Sequence, residues 1–282
     1  MSEKSASDIE NEVQDWWQTG IIDMEPGKIH YGGYAIEDLI GNISFPAMIW
    51  LMTRGDLPTP AQAKLLEAAL VSAVDHGPQA PSIAIARMAA TCGVGLNNAM
   101  ASAVNVLGDV HGGAGEQAVA LYHDIADRMK DGVGLTDAVA AGLDHQIAEH
   151  GKHITGFGHR FHPIDPRAPR LLALVAEAAE AKHISGQFGV IASAIEDTLL
   201  ARKGKRIPMN IDGATAVIYA ELGFAPELAR GLFCLSRSVG ILAHAWEQTQ
   251  QGGRNKGPIP RRMIWNYTGP KRKAFDVDSK SD

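Results

Sequence analysis

Two histidines, three arginines and one aspartate fall within "GFGHRFHPIDPRAPR" at residues 156–170. Glycine and proline there serve backbone turning, which leaves His159, Arg160 and Arg167 without a structural reason to be together. Cations gathered in one loop suit an anionic substrate even in a protein of net charge −6, because local convergence matters more than the total. Three more positions offer groups for proton chemistry: His76 in "DHGPQAPS", His111 in "GDVHGGAGEQ" and Asp212 in "MNIDGATAVIYAELGF".

All four sites fall at helix ends in the sequence pattern. His76 is expected at the C-terminal end of an amphipathic helix, where the dipole favours an imidazolium. His111 precedes Gly112, Gly113 and a new helix, where a neutral ring is favoured. Asp212 stands just before "GATAVIYAEL" and fits either an N-cap or a chemical role. His159-x-x-His162 is half of a zinc pair at most. Pro163 opposes the helix that would aim both rings one way, and neither H-E-x-x-H nor a cysteine cluster accompanies it, so no metal is assigned. "GVGLNN" lacks a third glycine and a preceding strand, and neither a P-loop nor G-x-S-x-G occurs, which removes dinucleotide, phosphate-loop and serine-nucleophile readings.

The elements that must position these residues read as helices. In "PTPAQAKLLEAALVSAVDHG", Thr59 and Pro60 suit Ncap and N1, Leu66, Leu70 and Val74 share a face, and Gly77 suits a stop. Ala-, Leu-, Glu- and Gln-rich segments near 82–91, 96–107, 114–130, 136–149, 167–183 and 187–203 continue the pattern. Only "KIHYGGYA" near 28–35 looks like a short hairpin. In "PELARGLFCLSRSVGILAHAWEQTQ", Leu228, Leu232, Leu235, Val239, Leu242 and Trp246 predict a core stripe, with Arg237 and His244 on another, solvated or partner-facing side.

A chain of 282 residues with 45% hydrophobic and 21% charged residues is of ordinary globular composition, and its acidity argues against nucleic acid. No apolar run approaches a membrane span or a leader, so a cytoplasmic protein is expected. Cys92 and Cys234 sit in apolar runs and are expected as small buried thiols. "GPKRKAFDVDSKSD" is expected to be a loose tail.

Taken in order, "YGGYAIEDL", "RGDLPTP", "DHG", "GDVHGGAGE", "GFGHRFHPIDPRA", "NIDGATAVIYAELGF", "LSRSVGILAHAWEQ" and "YTG" resemble the citrate synthase superfamily over roughly residues 20–270. Within it the chain is most similar to short citryl-CoA lyases and to the lyase domain at the C-terminus of ATP-citrate lyase. The stretch from Pro60 to His76 is too short for the helical region that synthases carry there, and "DHGP" looks like the lyase form.

The resemblance implies an all-α fold in which a large helical domain (1–114 and, with the tail, 238–282) is joined by a smaller domain (115–237) that closes over the substrate. It also implies a homodimer or higher homo-oligomer sharing residues across its active sites, and citryl-CoA cleavage to acetyl-CoA and oxaloacetate. Condensation of an acyl-CoA with oxaloacetate or another 2-oxo acid is the alternative, and a metal-dependent hydrolase a second one. By resemblance His111, His159 and Asp212 are catalytic and His76, Arg167 and Arg237 hold substrate carboxylates. Either Arg261 or Arg262 reaches the partner's site. Gly156, Phe157, Gly158, Arg160, Lys205 and Arg206 are expected along coenzyme A, which enters as part of the substrate.

Overall fold

The structure, a computed structural model, describes residues 5–159 and 162–273. Arg160 and residues 274–282 of the expected tail lie outside that range. After α1 (Ala6–Trp16), the chain forms a three-stranded antiparallel sheet of β1 (Ile22–Glu25), β2 (Lys28–Tyr31) and β3 (Tyr34–Ala35), paired in sequence order. The expected hairpin is thus β2–β3, with one strand added ahead of it. Helices follow: α2 (Ile36–Leu39), α3 (Phe45–Arg54), α4 (Pro60–Ser72), α5 (Pro81–Ala90), α6 (Leu96–Val104), α7 (Ala114–Lys130), α8 (Leu135–His150), α9 (Arg167–Glu180), α10 (Gln187–Lys203), α11 (Ile211–Glu221) and α12 (Pro226–Gln251). Among the described residues, no helix is long and apolar enough to cross a membrane.

α11 is the centre of the larger core. Ala214, Ala216, Val217 and Ile218 are fully buried, against α7 and α9 on either side. At roughly 1.5–3 kcal/mol for each fully buried Val or Ile, this helix is anchored by its apolar composition alone. A second core joins α5 and α6 to α12 through Ile83, Ala86, Ala99, Ala103, Ile241 and Ala245. Alanine at most of these positions lets the helix backbones approach closely. α12 contributes to both cores, with Leu232 in the first and Ile241 in the second.

The expected core stripe of α12 holds only at its start, where Leu232 is buried and Leu228 packs against the same core. Leu235, Val239, Leu242 and Trp246 are 49%, 58%, 41% and 55% exposed, whereas Ser236, Arg237, Gly240, Ile241, Ala245 and Gln248 face inward. The cause lies in α4, which begins on a Thr59–Gln62 capping box and stops at Ser72, short of Gly77. The last carbonyls of a helix have no partner within it. α12 and α9 supply donors: Ser236 Oγ to Leu70 O, Arg167 Nη1 to Ser72 O at 3.3 Å, Arg237 Nε to Ala73 O at 3.1 Å and Gly240 N to Val74 O at 3.1 Å. Turning those donors inward turns the apolar stripe outward. The thiols also differ from expectation: Cys92 is exposed, in the turn just past the end of α5, and Cys234 is only half-buried.

Gly240 permits this contact, since a Cβ there would stand 2.2 Å from Val74 O. Gly240→Ala is therefore expected to destabilise the fold by about 1–3 kcal/mol, although alanine adds about 1 kcal/mol of helix propensity. The urea midpoint of the variant checks the sign.

Candidate active site

The end of α4 places His76 in the turn that follows Asp75. Burial, then the charges of Arg237, Arg167 and His159, hold the His76 ring below the usual histidine range. The imidazolium expected from the helix dipole is therefore corrected: burial first, and then the neighbouring cations, disfavour a charged ring. Arg237 is 6% exposed and lies over the Phe233 ring at 4.8 Å. Its inward position overturns the solvated or partner-facing reading of that side.

The loop carrying His159 is tied to the start of α11. Phe157 pairs with Met209, Gly158 N donates to Pro208 O at 2.7 Å, and Asn210 N donates to Gly156 O at 3.0 Å. The Asn210 side chain gives its Nδ2 to Gly158 O at 2.7 Å, while its Oδ1 accepts from the backbone of Asp212 and Gly213. Asn210 is thus the N-cap of α11, and the Asp212 carboxylate one turn-step on is free of that duty. Gly156 adopts φ +86°, and a Cβ on it would meet Gly213 Cα at 2.9 Å. Close packing on α11 is thus one reason for glycine at this position.

These ties bring His159 beside His76, with ring centroids 6.1 Å apart, and within the charge field of Asp212 and Arg167. Burial is the main reason the His159 ring is held below its usual range, so it stands neutral at pH 7. Burial pushes the Asp212 carboxyl up against the opposing pull of Arg167 and Arg237. Asp212 keeps partial solvent contact, yet protein surrounds it closely enough for desolvation to prevail.

His111 reaches the same group of charges through Arg237. Ser82 N, in the first turn of α5, donates to His111 Nε2 at 3.2 Å, and Ser82 Oγ lies 3.0 Å from the same nitrogen. An N–H cannot accept, so Nε2 carries the lone pair and the ring's proton is on Nδ1. Burial and Arg237 hold the ring below its usual range. The neutral state read from the sequence agrees, but its causes are these rather than a helix dipole.

Phe157, Gly158, His159, Lys205 and Arg206 line one cavity of about 570 Å³, together with His162. Arg206 is paired with Glu196 at 3.3 Å, and Lys205 is exposed. The backbone N of His162 donates to His159 Nδ1 at 3.0 Å. Among the described residues, no three His, Cys, Asp or Glu side chains stand where they could hold a metal ion. Arg261 and Arg262 are exposed on the segment after α12, where Arg261 donates to Arg254 O at 3.4 Å. Within one chain they do not join the cluster around Arg237.

Two positioning groups were not picked out in the sequence. Asp165, 1% exposed, holds Arg167 through Nε and Nη2, each at 2.9 Å, and accepts from Ile211 N at 3.0 Å. Its local signal was an aspartate two residues before the arginine at a helix start; its contact with α11 had none. Ser82 likewise orients His111 from 29 residues away.

A family model described as "Citrate synthase, C-terminal domain" matches residues 9–67 and 58–262. A citryl-CoA lyase structure from Hydrogenobacter thermophilus is 32% identical with a TM-score of 0.80, covering 92% of this chain and 97% of that one. A Thermoplasma acidophilum citrate synthase in ternary complex with carboxymethyl coenzyme A and oxaloacetate is 26% identical with a TM-score of 0.66, covering 83% of this chain and 59% of that one. The citrate synthase of Deinococcus radiodurans is 32% identical over 202 residues, 71% of this chain and 51% of that protein. The chain spans about half the length of the curated relatives it matches.

Because Asn210 caps α11, Asn210→Ala is expected to cost roughly 1–2 kcal/mol of stability. Asp212→Asn should leave the melting temperature near that of the wild type. Thermal unfolding of the two variants side by side checks this division of labour.

Proposed function

The chain belongs to the citrate synthase family, and on that premise we propose that it is a citryl-CoA lyase, cleaving citryl-CoA to acetyl-CoA and oxaloacetate. The observation that carries this reading is the agreement of fold with a citryl-CoA lyase over 92% of this chain and 97% of that one at a TM-score of 0.80, against 0.66 for the Thermoplasma acidophilum citrate synthase. Substrates of the relatives, a coenzyme A thioester and oxaloacetate or citrate, suit the cations described above.

In this reading Arg167, Arg237 and His76 hold the carboxylates. Arg167 spends one N–H of Nη1 on Ser72 O and one of Nη2 on Asp165, which leaves one on each for an end-on pair. His159 takes the proton of the tertiary hydroxyl on Nδ1, the nitrogen whose lone pair accepts from His162 N until the substrate hydroxyl takes that place. The carbon–carbon bond then breaks, its electron pair passing to the thioester as an enolate while the hydroxyl carbon becomes the ketone of oxaloacetate. His111 Nδ1–H donates to the enolate oxygen, and protonated Asp212 gives its proton to the enolate carbon. The observed shifts suit that direction, since His159 starts neutral and the Asp212 carboxyl is pushed up. Phe157, Gly158, Lys205 and Arg206 line the cavity assigned to coenzyme A.

We further propose that residues 115–237 form the closing domain against 1–114 and 238–282, and that the enzyme is a homodimer. The outward stripe of α12 supports a partner there, and Arg261 or Arg262 would complete the partner's site. Condensation is a second reading, because a His111 donor stabilises the same enolate in either direction.

Purified protein given citryl-CoA is expected to release oxaloacetate, followed through malate dehydrogenase and NADH, with EDTA making no difference. Failure there, with turnover of acetyl-CoA plus oxaloacetate, would transfer the assignment to condensation. The kcat/KM profile for cleavage should be bell-shaped. Activity is lost on the acid side as His159 protonates and on the basic side as Asp212 loses its proton, and a lowered His159 with a raised Asp212 both enlarge the share of enzyme holding the two required forms together. Asp212→Asn should lower kcat by at least about 10²-fold. Val239→Glu with Leu242→Glu is expected to give a monomer by light scattering and to abolish cleavage.

A further inference from the structure

We infer that His244, fixed in one tautomer by Arg87, is a positioning residue that orients His76 through Asp75. His244 lies on α12, seven residues after Arg237, and no role in the proposed reaction requires it directly.

Arg87, on α5 and 12% exposed in its side chain, donates to three groups of α12: Glu247, Gln251 Oε1 at 2.6 Å and His244 Nδ1 at 3.1 Å. A guanidinium has no lone pair to offer, so Nδ1 accepts and the ring's proton sits on Nε2. That nitrogen faces the Asp75 carboxylate, 3.2 Å from Oδ1 and 3.3 Å from Oδ2. The same carboxylate also accepts from Gly77 N, through Oδ2 at 3.1 Å, and from the backbone N–H of His76.

Asp75 is therefore gripped between α12 and the turn that carries His76. Gly240 lets this happen, because a Cβ there would lie 3.0 Å from Asp75 Oδ1. Removing the His244 donor leaves the carboxylate attached only to the turn itself, free to swing with it. Rigid orientation of a group that receives substrate depends on such supporting hydrogen bonds. The inference rests on the reading of His76 as a carboxylate-holding group.

The test compares the full-length wild type with His244→Ala and His244→Gln, whose amide N–H reaches the place of Nε2–H. Oxaloacetate affinity is measured by calorimetry, the His76 ring resonances by 15N-histidine NMR, assigned with His76→Gln, and folding by thermal melting. His244→Ala is expected to shift the His76 resonances and to weaken oxaloacetate binding about tenfold, as for a lost hydrogen bond to a charged group. His244→Gln should restore both while the melting temperatures stay close. If His244→Ala does not fold, Arg87→Gln, which releases His244 Nδ1 without touching Asp75, carries the same expectation. His76 resonances unchanged in the folded variant overturn the inference whatever the affinity does, and so does a folded His244→Gln as impaired as His244→Ala. Should the wild type fail to bind oxaloacetate, the functional reading falls, and the His76 resonances still decide this one.

Discussion

The C-terminal end of α4 is the constraint on which the rest of the site depends. Its last carbonyls lack partners within the helix, and Ser236, Arg167, Arg237 and Gly240 supply donors to this end. Two of those donors are guanidinium groups. Each gives part of its hydrogen-bonding capacity to the backbone and keeps the rest, so stabilising the helix end also fixes where positive charge stands. Arg167 is held still further by the buried carboxylate of Asp165, which binds the first turn of α11 as well. A single network therefore connects α4, α9, α11 and α12.

Electrostatics follow from that network. Arg167 and Arg237 stand close to His76, with Arg237 also acting on His111 and Arg167 on His159, and burial lowers all three rings in the same direction. Neutral histidines can accept protons or donate hydrogen bonds without adding to the positive charge already present. Asp212 experiences opposing influences, because the arginines favour its charged form while its surroundings disfavour it. Desolvation prevails, so the carboxyl holds its proton more firmly than an exposed one despite the two guanidinium groups, which is the state the proposed cleavage calls for.

Helix spans and the cluster of motifs were legible because they are local. The capping box at Thr59, the glycine stops and the runs of helix formers each carry their signal within a few residues, and the helices lie where those signals place them. What failed was facing. The apolar stripe of α12 obeyed the rule of amphipathic helices, but periodicity cannot say whether a stripe meets its own chain or a partner. Nor could local reading separate Asp212 from Asn210, since both types cap helices and only the observed hydrogen bonds assign the duty to Asn210. Contacts such as Ser82 with His111, or Asp165 with Ile211, join residues far apart in sequence, and no spacing rule foretells them.

α12 reconciles these demands along its length. Leu232 packs into the core around α11, Ser236 and Arg237 cap α4, Gly240 allows close approach, and Ile241 and Ala245 join α5 and α6. With its inward face so committed, the helix has only the opposite side left for large apolar residues, and Leu235, Val239, Leu242 and Trp246 occupy it. Covering them requires surface that α12 itself cannot supply. In the proposed homodimer, association and chemistry would thus be linked through one helix: the orientation that buries Arg237 is the orientation that turns the apolar stripe outward.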